Sequence, residues 1–243
     1  MILTRENILN FVITAGLILV PIYAVIVEEP FTITLATRAV IFSLAAVGLN
    51  IALGLGGMVS LGHAVFFGLG GYTMGILAFH AQSYIPLFEW PILIEGTKQM
   101  LVVWPLAMII SAIAAFVIGL LSLRTGGVYF IMITLAFGQM FFFFSISWSA
   151  YGGEDGLSIY VRNQFPLVNT LVPIQFYAIC LAILMLALWI NARLAKSSFG
   201  LALSAARQNT ERVRNVGLDP TSIKLLAFVI SGAGGNVAKH GNR

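Results

Sequence analysis

Met100-Leu-Val-Val-Trp-Pro-Leu-Ala-Met-Ile-Ile-Ser-Ala-Ile-Ala-Ala-Phe-Val-Ile-Gly-Leu-Leu-Ser122 holds no charged residue. A helix needs about 20 mostly apolar residues to cross a bilayer, and this run is long enough. Similar runs lie on both sides of it. They cover about residues 8–27, 31–53, 63–79, 128–148 and 173–190, with a shorter one at 223–233. Hydrophobic residues make up 59% of the chain and charged residues 9%, and the mean hydropathy is +0.97. Soluble domains carry roughly a quarter charged residues, so this chain lacks the polar surface to enclose its apolar mass in water. The pattern predicts an all-α, polytopic transmembrane helical bundle. It has six complete spans, a truncated seventh and a Gly-rich interrupted helix, in a single domain over residues 1–243.

Several function classes fall away. Cys180 is the single cysteine, which excludes an intrachain disulfide framework and a thiolate metal cluster. His63, His80 and His240 have no metal-binding spacing, so no metal site and no cofactor are expected. No Gly-Lys-Ser/Thr phosphate loop occurs, so ATP hydrolysis is not expected on this chain. The net charge of +4 does not point to nucleic acid, because the basic residues concentrate in one loop between apolar spans. The N-terminus runs into a long apolar span without a small-residue cleavage site and does not read as a signal peptide.

Lys and Arg counts orient the spans. With the N-terminus in the cytoplasm, Arg5, Arg124, Arg193, Lys196, Arg207, Arg212, Arg214 and Lys224 all fall inside. Only Lys98 and Arg162 fall outside. Glu28, Glu29, Glu89, Glu95, Glu154 and Asp155 lean outward. Arg38, early in the second span, is expected to snorkel to the outer interface.

Four segments are candidates for function. Gly54 to Gly71 carries seven glycines around Ser60 and His63. Irregular backbone at membrane depth is tolerated where it is buried in protein or lines a cavity, which makes a broken, path-lining helix one reading. Close packing at small residues is the other, and His63 alone fits packing better. Thr134 and Gln139 lie in the fifth span and Asn50 near the end of the second, where each either bonds a neighbouring helix or faces a cavity. Phe141 to Phe144 read as lipid-facing or packing bulk, with Trp148 and Tyr151 as interfacial anchors. Gly152, Gly153, Glu154, Asp155 and Gly156 form an external loop that suits either a solvated turn or a basic partner surface. The polar loop 191–222 predicts a helix from Gly200 to Arg214 that ends before Gly217 and Asp219-Pro220. It suits a docking element or a basic lipid-headgroup contact equally.

These residues resemble a known family. Asn50–Thr73, Leu121–Gln139, Gly152–Leu157 and Ser198–Leu218 are similar, in order, to segments of the permease subunits of branched-chain amino acid ABC transporters. The resemblance spans about residues 41–233. It implies a bacterial inner-membrane importer subunit that works with four kinds of neighbour: membrane lipid, a second homologous permease, two cytoplasmic ATPase subunits and a periplasmic binding protein. It places Gly200, Ala205, Ala206, Arg207, Asn209 and Gly217 in the loop that meets an ATPase subunit, and residues 152–156 toward the binding protein. Gly56, Gly57, Ser60, His63, Thr134 and Gln139 become candidates for the substrate path. The central segment is closer to the amino-acid members than to the urea members, and amide substrates stay open. The family continues with further spans where this chain turns polar at about residues 234–243, so a truncated product, or an inactive remnant, is a further expectation. An ion-driven transporter fits less well, since that class buries ionisable groups mid-span and none is found here.

Overall fold

The structure, a computed structural model, describes residues 30–83, 99–156 and 172–234, with Gly16, Leu17 and Leu19. The expected first span (8–27), the segments around Lys98, Glu89 and Arg162, and the polar tail lie outside these residues, save for those three positions. Eight α-helices are described: α1 (Pro30–Asn50), α2 (His63–Ser83), α3 (Met100–Ser122), α4 (Val128–Ser147), α5 (Pro173–Lys196), α6 (Ser198–Gln208), α7 (Thr210–Asn215) and α8 (Pro220–Gly234). No strand occurs among the described residues. Five helices are long and apolar enough to cross a membrane: α1 with its extension to Leu55, then α2, α3, α4 and α5.

Their outer faces explain the composition. Ile109, Ile113 and Phe116 on α3, Met132, Met140, Phe142, Phe143 and Phe144 on α4, and Leu186, Trp189 and Ile190 on α5 are all exposed. Contiguous apolar faces of that extent are stable against lipid and not against water. Two buried threonines inside the spans are satisfied within their own helices. Thr37 donates to the Ile33 carbonyl at 2.7 Å and Thr73 to Leu69 at 2.8 Å, each one turn back in its own helix. Arg38 is exposed near the start of α1, and the Arg193 guanidinium lies 5.6 Å from the Trp189 ring at the far end of α5.

Among the described residues, three apolar clusters hold the helices together, the smallest joining α2 to α3 through Met74, Leu77, Val103 and Ala107. Of the other two, one joins α1 to α5 through Val40, Leu44, Tyr177 and Leu184, braced by Asn191 Nδ2 donating to the Val47 carbonyl at 3.0 Å. The other gathers Phe66, Ala115, Phe130, Leu203 and Phe228 around α8. α8 has 15 residues and is too short to count as a full span, yet Ala227, Phe228 and Ser231 are fully buried. It packs on α3 and α1, and Gly232 sits where an added Cβ would lie 2.7 Å from Ala115 Cβ. What the sequence presents as the stub of a span is therefore a central packing element.

The cytoplasmic-loop expectation needs one correction. A single helix from Gly200 to Arg214 is replaced by α6 and α7, broken at Asn209. Asn209 is extended, with φ −153°, and its Oδ1 accepts from the Arg212 amide at 3.0 Å. An Asn that caps the next helix is more stable there than inside a continuous one.

Candidate functional site

The glycine-rich segment does interrupt the helix. After Asn50 the chain widens into a π-helical turn, Ile51–Leu55, and the Gly56 amide reaches back to the Ile51 carbonyl at 3.2 Å. It leaves the helix at Gly57, where φ is +66°, and re-enters one at His63. Such widened turns release backbone groups from the regular ladder. One freed carbonyl is used at once: Arg207 Nη1 donates to the Gly54 oxygen at 2.5 Å. An added Cβ on Gly57 would lie 2.8 Å from Arg207 Cγ, so the glycine lets α6 reach the break.

Ser60 lies within the break and His63 at its far end. The Ser231 hydroxyl has one proton and gives it to the Gly48 carbonyl at 2.6 Å. Its 2.7 Å contact with His63 Nε2 is then accepted, which puts the imidazole proton on Nε2. Phe66 and Phe228 meet the His63 ring edge-to-face at 5.1 and 5.4 Å. His63 and Ser231 together thus tie α1, α2 and α8 to one another. Its Nδ1 and the Ser60 hydroxyl are enclosed without a partner among the described residues.

Thr134 and Gln139 part company. Thr134 is fully buried and donates to the Ile131 carbonyl of its own helix at 3.0 Å. Its carbonyl presses on Gly62, where an added Cβ would lie only 2.3 Å away. Gly138 follows one turn on, with the Gly62 Cα 3.7 Å from its own Cβ position. Gln139 is exposed on the wall of a groove.

That α2–α4 contact divides two cavities. On the loop side, a groove of about 590 Å³ runs between α2 and α4 from Leu61 to the turn holding Gly153, Glu154 and Gly156. On the basic side, a cavity of about 380 Å³ is lined by Gly56, Gly57, Thr125, Arg207 and Lys224. The sequence-derived candidates therefore separate. Gln139 belongs with the external loop, Gly56 and Gly57 with Arg207, and Thr134 with the floor between.

The loop above the groove is built on turns. Gly152, Gly153 and Gly156 have φ of 92°, 48° and 75°, which only glycine adopts without strain. Asp155 closes the short 3-10 turn Gly153–Asp155. Tyr151 anchors the loop, its hydroxyl 2.9 Å from His80 Nε2 and its ring 4.8 Å from that of Trp148.

At the other end, α6 and α7 form a basic unit. Ser197 caps α6 by accepting from the Gly200 amide at 3.2 Å. An added Cβ on Gly200 would lie 2.3 Å from the Leu194 carbonyl, so this glycine permits the sharp corner after α5. Gly200 and Ala206 are buried, whereas Ala205, Arg207, Asn209 and Gly217 are exposed. Leu201, Val216 and Leu218 are exposed apolar residues of the same unit that sequence reasoning did not single out. For Leu201 the signal was the helical spacing of the buried Gly200, Leu203 and Ala206, which leaves it on the opposite face; Val216 and Leu218 follow α7 and carry no such pattern. Asp219 caps α8. Its carboxylate accepts from the Ser222 hydroxyl at 2.5 Å and from the Thr221 and Ser222 amides at 3.1 Å, which holds it below the usual carboxylate range.

An apolar helical bundle with a broken helix and a cavity toward each end defines a multi-pass membrane protein of the transport kind. The chain belongs to the branched-chain amino acid transport system / permease component family, whose family model matches residues 31–238. It is 29% identical, over 89% of its length, to the high-affinity branched-chain amino acid transport system permease protein LivM of Salmonella typhimurium LT2. The same figures hold for LivM of Escherichia coli K12. The chain spans about half the length of these curated relatives, 54% in each case. No solved structure matches it. Family and apolar helices together make it a multi-pass protein of the bacterial inner membrane.

Proposed function

We propose that the chain is the membrane-spanning permease subunit of an ATP-driven importer of branched-chain amino acids. The observation that carries this is the family match over 31–238, which takes in both the helix break and the α6–α7 unit. The N-terminus lies in the cytoplasm, in keeping with the basic residues on the α6–α7 side. A second homologous permease, two ATPase subunits and a periplasmic binding protein complete the assembly. Hydrolysis takes place on the ATPase subunits.

In this mechanism α6 and α7 meet an ATPase subunit through Ala205, Arg207, Asn209 and Gly217, with Leu201, Val216 and Leu218 supplying apolar contact area. Gly200 and Ala206 seat the unit against the bundle and do not touch the partner. Movement of the unit reaches Gly54 through Arg207, and so acts on the break between α1 and α2. The loop at 152–156 faces the binding protein. The permease needs no chemistry of its own, only different contacts with the partner in its two states.

Uptake of labelled leucine into vesicles holding the chain with its partner subunits is the test. Uptake must stop when ATP is withheld and continue when a proton uncoupler is added. Uptake that survives ATP loss overturns the reading. Arg207→Ala is expected to leave membrane insertion intact and to lower leucine-stimulated ATP hydrolysis. An unchanged rate removes the Arg207–Gly54 link from the mechanism.

A further inference from the structure

Gly68 lies in the second turn of α2 and packs closely on none of the described residues. Gly62, Gly119 and Gly232 each sit where an added Cβ would come within 3 Å of a neighbour. At Gly68 nothing among the described residues lies within 4 Å of the added Cβ. A glycine inside a helix costs about 0.5–1 kcal/mol relative to alanine, and here no close contact returns it. The space it leaves belongs to the groove between α2 and α4.

The groove has a graded lining. Gly62 and Thr134 close its floor, and Gln139 stands near that floor. Val65 and Phe142 form apolar walls beside Gly68. Tyr72 and Glu154 stand toward the mouth, since α2 and α4 both run toward the Tyr151–His80 contact. Among the described residues, Glu154 is the one carboxylate in the lining, and no Lys, Arg or His lines the groove. The volume of about 590 Å³ is ordinary for a small-molecule site.

We infer that this groove is the outward substrate site, with Gly68 vacant to admit the side chain of an apolar amino acid. The ammonium group meets Glu154, the carboxylate takes a hydrogen bond from the Tyr72 hydroxyl, and the side chain lies along Gly68 toward Gln139. The Glu154 carboxylate attracts a ligand with a cationic group and repels one whose side chain is anionic. The inference rests on the importer reading above and adds the place and chemistry of recognition.

A thiol at position 68 tests it in the assembled transporter. Cys180 is the only native cysteine and is buried, so Gly68→Cys supplies the reactive thiol. Leucine is expected to slow maleimide labelling of that thiol, and labelling to block leucine uptake. Gly68→Phe is expected to abolish uptake while the ATPase subunits still co-purify. Glu154→Gln should raise the KM for leucine roughly tenfold or more, the loss expected for one charge-assisted hydrogen bond. Labelling indifferent to leucine, or wild-type uptake by Gly68→Phe, overturns the assignment. So does a thiol shielded in the complex whose Gly68→Phe variant no longer assembles, because position 68 then packs on a partner helix. If the unmodified complex imports leucine and the variants match it, only the groove assignment falls. If the unmodified complex imports no branched-chain amino acid, the importer reading falls with it.

Discussion

Single residues at the centre of this protein are fixed by contacts that leave no slack. Ser231 is the clearest case, since one hydroxyl serves both the Gly48 carbonyl and His63 Nε2. Ser231→Ala would strand a buried donor and a buried acceptor together. Stranding a buried polar group costs about 1–3 kcal/mol, so the variant should melt measurably lower in detergent. An unchanged melting temperature would mean that His63 is held by its two phenylalanine neighbours alone. Gly62→Ala should also destabilise, because its Cβ would intrude on the Thr134 carbonyl. Overpacking of this kind costs about 1–3 kcal/mol. Alanine at Gly62 that leaves the melting temperature unmoved would refute the tight floor between the cavities. The sequence made the glycine density of this segment visible but not what each glycine does. Gly57 receives an arginine, Gly62 a carbonyl, and Gly68 no neighbour within 4 Å among the described residues. Those differences come from which helix lies opposite, and no local pattern encodes that.

Elements were legible wherever hydropathy alone defines them. α3 occupies Met100–Ser122, as its uncharged run predicts, and α4 ends one residue before the expected Trp148. α5 runs on to Lys196, because Arg193 and Lys196 extend its last turn beyond the apolar stretch. The central burial of α8 was not legible in the sequence, because burial of a short helix depends on partners far away in the chain, here Phe66 and Ala115. Its start is nevertheless written locally, in Asp219-Pro220. The Asp219 carboxylate is hydrogen-bonded in the fold, and its folded pKa therefore lies below the unfolded one. Its contribution is fully present above the unfolded value, about 3.9, and is lost as pH falls through the folded value. Hydrogen exchange at the Thr221 and Ser222 amides should accordingly show protection that fades only in acid. Asp219→Asn should remove that pH dependence, and an unaltered profile in the variant would assign the fading to another group.

At the scale of the whole molecule, the two ends differ in charge and in construction. Among the described residues, Arg124, Arg193, Lys196, Arg207, Arg212, Arg214 and Lys224 gather where α3, α5 and α6 end and α4 and α8 begin. The opposite end is finished by the turns at 149–156, with Arg38 as the lone described cation near it. Clustered Lys and Arg are retained on the cytoplasmic side during insertion, so the basic end is expected inside. Ser149 and Val216 are both exposed, one at each end, and suit a test from the two sides. A membrane-impermeant maleimide should label Ser149→Cys in intact cells. It should reach Val216→Cys only after the inner membrane is breached. The reverse pattern would invert the orientation. It would then face the α6–α7 unit away from ATP and remove the proposed route from an ATPase subunit through Arg207 to the helix break.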